Sequence, residues 1–391
     1  MNSRKTAILV IHGIGEQNPF EALDSFTRGL VAELKSLNPT QPLSLDNHLL
    51  RADTRQDNFV RVQAGGAKPI DVYEFYWADK AERKAGLADI VGWLIRASDG
   101  AKKFYDANME LVRVYEARGS EAFMNGKMVE NWFLGRIGLL FRFLAWLDKV
   151  FPPAKWLLVS GWSRSIVLSI ISLVHREVVN MLVSYLGDLV VYTQDNERKT
   201  TFKARAEILD AASNKIRLLL DSPENYDQVL LAGHSLGSVI AYDAINIAVQ
   251  RINLDSNLAD KYRKIRGLVT FGSPLDKIAF FFRYQSTVND YVRRQLIAQK
   301  HCFRTKDLDL SHCGADASAT ILLRNPYGAK LDDEIQWVNY WDPLDPVSGQ
   351  LDFYEVTENV EYAMGGKWGL AHLRYWNFAP MYQDIIRRFL S

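Results

Sequence analysis

Apolar and polar positions along the chain fall into two rhythms. Residues 6 to 15, Thr-Ala-Ile-Leu-Val-Ile-His-Gly-Ile-Gly, form an unbroken apolar run closed by two glycines, the pattern of a strand buried on both faces of a parallel sheet. Residues 20 to 37 then place apolar side chains at helical spacing, with Pro19 just before and Pro39 just after, as at helix boundaries. Residues 70 to 79 alternate in part and are rich in aromatic and β-branched types, which predicts a second strand. Residues 227 to 233 predict a third, followed by His-Ser-Leu-Gly and a helical stretch over 239 to 249. Residues 267 to 271 and 335 to 341 predict a fourth and a fifth. Strands separated by helical segments imply an α/β fold, a mostly parallel sheet covered by helices on both faces.

One stretch breaks this rhythm. The alternation predicts a core made of residues 1–84 and 187–391, interrupted by a helical, apolar insertion over 85–186. Within it, residues 132 to 186 hold Trp132, Trp146, Trp156 and Trp162, and six basic residues against two acidic ones. Residues 156 to 174 carry a single charge, Arg164, yet Gly161 and five serines weaken them as a membrane-spanning helix. The expectation is a cap on the sheet edge or a surface that lies on a bilayer, divided in two by Pro152 and Pro153.

Composition narrows the possibilities. Of 391 residues, 47 are Lys or Arg and 46 are Asp or Glu, so no global field exists to hold a phosphate backbone and nucleic acid is not expected as a partner. Two cysteines cannot build a disulfide framework. The apolar run after Arg4 and Lys5 is too short for a signal peptide and passes straight into a glycine turn. Cytoplasmic synthesis with peripheral membrane association is the expectation, although export by a machine that reads no such peptide stays open.

The chemistry concentrates in Gly-His-Ser-Leu-Gly, residues 233 to 237. A serine nucleophile on a sharp turn needs a strand before it, a helix after it and small residues two positions to either side. Here Gly233 and Gly237 flank Ser235 between an expected strand and an expected helix. The oxyanion formed on attack needs N–H donors. Leu236, just after the nucleophile, and Ile14, in the turn of His12 and Gly13, are the candidates, with His12 orienting that turn. A phosphate loop is the competing reading of this turn, but Gly-Ile-Gly-Glu-Gln lacks the Lys and Ser/Thr of a Walker motif and the third glycine of a dinucleotide fingerprint.

Serine also needs a base. Of seven histidines, only His372 follows the last expected strand, where the chain order Ser, acid, His puts the base. The acid should leave the strand at 335 to 341, which Asp342-Pro-Leu-Asp345-Pro-Val-Ser follows. Asp345, farther into the loop, is preferred, and Asp342 is expected to form an Asx-type turn. His301, Cys302, His312 and Cys313 match no defensible zinc template, and no metal or cofactor is expected.

Together these segments resemble the lipase-like α/β hydrolases. The shared features are His-Gly-Ile-Gly-Glu at 12 to 16, Gly-His-Ser-Leu-Gly-Ser-Val-Ile-Ala-Tyr-Asp at 233 to 243, and Phe-Gly-Ser-Pro-Leu at 271 to 275. The acid loop Asp345 to Ser348 and the base loop His372 to Trp376 look like that group's as well. The resemblance spans roughly residues 6 to 79 and 187 to 390 and leaves out the insertion. It implies an α/β-hydrolase fold and ester hydrolysis through an acyl-enzyme, often on lipids or phospholipids, with no cofactor. A non-catalytic membrane- or partner-binding module, and an acyltransferase using the same triad, are the rival readings.

Overall fold

The computed structural model describes residues 4–13, 18–52, 55–78, 105–106, 109–117, 123–128, 200–282, 303–304, 331, 334–345, 347–365 and 370–391. In chain order the elements begin with β1 (Thr6–Ile11), α1 (Glu21–Leu37), β2 (Leu43–Ala52), β3 (Arg55–Ala64) and β4 (Ile70–Phe75). From the insertion come α2 (Met109–Ala117), β5 (Phe123–Met124) and β6 (Lys127–Met128). The second half supplies α3 (Thr200–Leu220), β7 (Gln228–His234), α4 (Leu236–Leu254), α5 (Ala259–Tyr262), β8 (Ile265–Phe271) and α6 (Leu275–Phe282). It closes with β9 (Gln336–Trp341), β10 (Glu358–Glu361), short 3-10 turns at Leu370–Leu373 and Tyr375–Asn377, and α7 (Ala379–Ile385) running into a final π-turn, Ile386–Leu390.

Eight strands make one sheet in the order β10-β9-β8-β7-β1-β4-β3-β2. From β4 to β10 all neighbours are parallel, and the β2–β3 hairpin joins β4 antiparallel. The architecture is therefore α/β with a mixed, mostly parallel sheet. The continuous apolar run of β1 follows from its central position: Ala7, Leu9 and Ile11 enter the core shared with α3 and α4, while Ile8 and Val10 face α1 and α7. Every residue of β1 is buried, as a strand covered on both faces requires.

All five expected strands are present, each within a few residues of its predicted bounds. The hairpin β2–β3 and the edge strand β10 were not foreseen. Glu358-Asn-Val-Glu361 is mostly exposed and β2 leaves Leu45 and Leu49 in solvent, so neither has the buried run that marks the central strands. Of the expected insertion, only α2, the β5–β6 hairpin and residues 105–106 fall among the described residues.

Parallel neighbours share one carboxyl edge, so the segments that leave β1, β7, β8 and β9 emerge side by side. The opposite edge is tied by a polar network. The fully buried Asp71 carboxylate takes two hydrogen bonds from Arg61, at 2.7 and 2.6 Å, and one from the Tyr226 hydroxyl at 2.7 Å. Arg61 also pairs with Glu224 at 2.6 Å, which Lys5 meets at 2.6 Å. This clamps β3 and β4 to the segment that enters β7. Removing the cation leaves a buried carboxylate uncompensated, which costs on the order of 3 kcal/mol or more. Urea unfolding of Arg61→Met should show a loss of that size, and a loss below about 1 kcal/mol would mean that the carboxylate does not depend on Arg61.

Candidate active site

The strand-to-helix turn at Ser235 is strained. Its φ of 52° and ψ of −127° lie in a region that residues with a side chain rarely occupy. The surroundings hold it there. Ser235 N–H donates to Phe271 O at 3.0 Å, and Ser235 O accepts from Ser238 N–H at 3.0 Å and from the Ser238 hydroxyl at 2.5 Å. Ser238 in turn shares a 2.7 Å hydrogen bond with Ser273 at the end of β8.

The flanking glycines are needed for space. A Cβ at Gly237 would stand 2.2 Å from Ile11 O, and one at Gly233 would stand 2.5 Å from Ser238 Cα. A Cβ at Gly13 would stand 2.6 Å from Ser235 Cβ, which brings the turn after β1 directly against the serine. Leu236 opens α4, and the first N–H groups of a helix lack intrahelical acceptors. They carry the positive end of the helix dipole.

His12 braces the β1 turn. Its Nε2 accepts from Trp77 N–H at 3.1 Å, which leaves the proton on Nδ1 to donate to Gly13 O at 2.7 Å. The ring stacks on Trp77, and the indole N–H reaches back to His12 O at 2.9 Å. The expected orienting role of His12 thus has specific contacts. Ile14, the second expected oxyanion donor, lies outside the described residues.

The expected base and acid meet. His372 Nδ1 lies 2.9 Å from Asp345 Oδ2, with both side chains buried. The carboxylate accepts further from the Tyr375 hydroxyl at 3.0 Å and from Val347 N–H at 2.8 Å. Burial by itself would raise the Asp345 carboxyl. The His372 imidazole, its hydrogen bond, Val347 N–H and the Lys277 ammonium outweigh burial and hold the carboxyl well below the ordinary carboxylate range. Burial pushes the Tyr375 phenol well up, so it remains a donor. Asp342 forms the expected Asx turn, accepting from Leu344 N–H at 2.7 Å, and its other oxygen holds Met364 N–H at 2.7 Å.

The His372 and His234 rings meet around Gly272, whose φ is 61°. A Cβ there would stand 3.2 Å from His372 Cε1, 3.2 Å from His234 Nε2 and 3.1 Å from the Tyr375 ring. With Nδ1 taken by Asp345, Nε2 is the imidazole nitrogen left for the serine. The Ser235 hydroxyl itself is buried and has no hydrogen-bond partner among the described residues.

No protein-family model, curated protein or solved structure matches this chain. The site is therefore read from its own geometry. His301, Cys302, His312 and Cys313, and the apolar stretch 132–186, lie outside the described residues. Among the described residues no group of three or more His, Cys, Asp or Glu side chains could hold a metal, and no helix is long and apolar enough to cross a membrane. A cavity of about 580 Å³ opens at the amino edge of the parallel strands, between Leu34, Val62, Ile70 and Leu390, and includes none of the site residues.

His234 and Tyr375 are the site residues that motif reading did not assign. His234 donates through Nε2 to His372 O at 3.0 Å and packs its ring 4.7 Å from that imidazole, against Phe271 and Trp376. Its Nδ1 is buried without a partner among the described residues. Burial, with the His372 ring beside it, pushes His234 down to about 3 from an ordinary value of 6.5. The folded protein thus keeps His234 neutral where the unfolded chain protonates it, and stability falls as pH drops from 6.5 toward 3. Against His234→Phe, wild type should lose up to about 1.4 kcal/mol more per pH unit in that window. Equal slopes in urea unfolding at pH 4 to 6 would contradict the buried neutral assignment.

Proposed function

We propose that the chain is a serine hydrolase of the α/β-hydrolase type that cleaves carboxylic esters through an acyl-enzyme, with lipids or phospholipids met at a membrane surface as its substrates. The observation that carries this reading is the buried Asp345–His372 pair, at 2.9 Å, joined through His234 to a serine held at positive φ between β7 and α4.

The chemistry follows from the protonation states. Ionised Asp345 accepts a hydrogen bond from His372 Nδ1–H, which leaves Nε2 as the nitrogen that takes the serine proton. The ester enters, the serine hydroxyl turns to Nε2, and its proton passes there as Oγ bonds to the carbonyl carbon. Asp345 stabilises the imidazolium, and the N–H groups at Leu236 and in the turn of His12 to Ile14 receive the oxyanion. Collapse returns the proton to the leaving alcohol, and water repeats the sequence on the acyl-serine. No metal or organic cofactor enters.

An acyltransferase would use the same steps with another alcohol in place of water. The lipid part of the proposal rests on the apolar, Trp-rich and basic sequence of residues 132–186 and on the resemblance to lipase-like hydrolases. A non-catalytic module has no use for a buried Asp345–His372 hydrogen bond in the same site as a strained serine.

The purified chain should hydrolyse p-nitrophenyl esters of graded acyl length. His372→Ala should lower kcat/KM about a thousandfold or more, and Ser235→Ala should do the same. Near-normal rates in either variant would overturn the assignment. For the membrane, wild type should float with anionic phosphatidylglycerol liposomes. A chain that stays in the soluble fraction would remove the bilayer from the proposal and leave the insertion as a cap.

A further inference from the structure

Beneath the loop that carries Asp345 lies a consecutive acid and base that the catalytic steps leave unused. Asp276 and Lys277, at the start of α6, are 2% and 5% exposed. Lys277 Nζ donates to Val347 O at 2.7 Å and to Ser348 O at 2.6 Å. Asp276 accepts from Asp352 N–H and Phe353 N–H, each at 2.9 Å. Two neighbouring side chains therefore grip one loop at two points, the Lys277 amine on carbonyls and the Asp276 carboxyl on amides.

We propose that Lys277, seconded by Asp276, is a positioning residue that sets Asp345 against His372; the inference rests on the hydrolase reading above. The link runs through single residues. The Val347 carbonyl is held by Lys277 while the Val347 N–H donates to Asp345 Oδ1 at 2.8 Å, and Asp345 Oδ2 meets His372 Nδ1. Ser348, whose carbonyl Lys277 also holds, shares a 3.1 Å hydrogen bond with the Tyr375 hydroxyl that donates to the same carboxylate. Two of the donors that fix Asp345 are thereby fixed by one ammonium.

Charge gives a second reason for a lysine here. A buried carboxylate that must stay ionised needs a nearby positive charge, and Lys277 is among the groups that hold the Asp345 carboxyl down. Among the described residues, the titratable groups around the acid loop are Asp342, Asp345, Asp352, His372, Tyr375 and, on α6 itself, Asp276 and Lys277. Lys277 is the cation among them.

The test reads the Asp345–His372 hydrogen bond separately from turnover. In wild type, proton NMR should show a strongly low-field signal from the His372 Nδ1 proton, absent in His372→Ala. Lys277→Met should lose that signal and lower kcat on p-nitrophenyl butyrate about 10- to 100-fold, as a shift of a catalytic group by about 1 Å does, with KM changing less than about twofold. Lys277→Gln, which keeps donors but no charge, should fall between. A Lys277→Met protein that melts like wild type and keeps both signal and kcat would overturn the proposal. So would unfolding of both variants where wild type is native, since Lys277 would then serve the core at large. Wild type that shows the signal, and loses it in Lys277→Met, but turns over no ester would sink the hydrolase reading and leave the positioning role standing.

Discussion

The hydrogen bond between Asp345 and His372 is the constraint on which the rest of the site depends. It sits in the interior, where a lone carboxylate is expensive, and the fold surrounds it with donors. Tyr375, Val347 N–H and the imidazole satisfy the carboxylate directly, while Lys277 acts on the loop from behind. His234, next to Ser235 in sequence, holds the backbone of His372. The loop of His372 and the turn of Ser235 are thus tied through one neutral imidazole.

The sheet explains why such distant residues can be tied. Positions 12, 235, 272 and 342 to 345 are scattered over most of the chain, yet each follows one of four adjacent parallel strands. Close approach between those turns needs residues without side chains, and Gly13, Gly233, Gly237 and Gly272 stand where a Cβ would strike a neighbour. The backbone strain at Ser235 is offset by Ser238, Phe271 and the start of α4. Polar contacts at the opposite edge, centred on Asp71, keep β3 and β4 in register with the entry to β7.

Much of this could be read from the sequence because it is local. Apolar runs closed by glycine marked the central strands, and the chain order of the expected fold led to Asp345 and His372. The Asx turn at Asp342 followed from its place after a strand. What escaped was non-local or lacked an apolar signature. β2, β3 and β10 mix polar and apolar residues at a sheet edge. His234 looked like part of the motif around the serine, and only the packing of the base loop shows what its ring touches. Asp276 and Lys277 carry no local signal, because the loop after β9 covers them only in the fold. His12 gave a partial signal, since a histidine in a glycine turn suggested bracing, but its partner Trp77 could not be inferred from spacing.

Peptide mass spectrometry after brief exposure to a fluorophosphonate tests the central claim most directly, because the reagent reports an activated serine whatever the natural substrate. A single phosphonyl adduct on the peptide containing Ser235 is expected, with labelling slowed sharply in Asp345→Asn, whose amide can no longer hold the His372 Nδ1 proton. An unmodified Ser235 peptide, or an adduct that forms equally fast in Asp345→Asn, would contradict it.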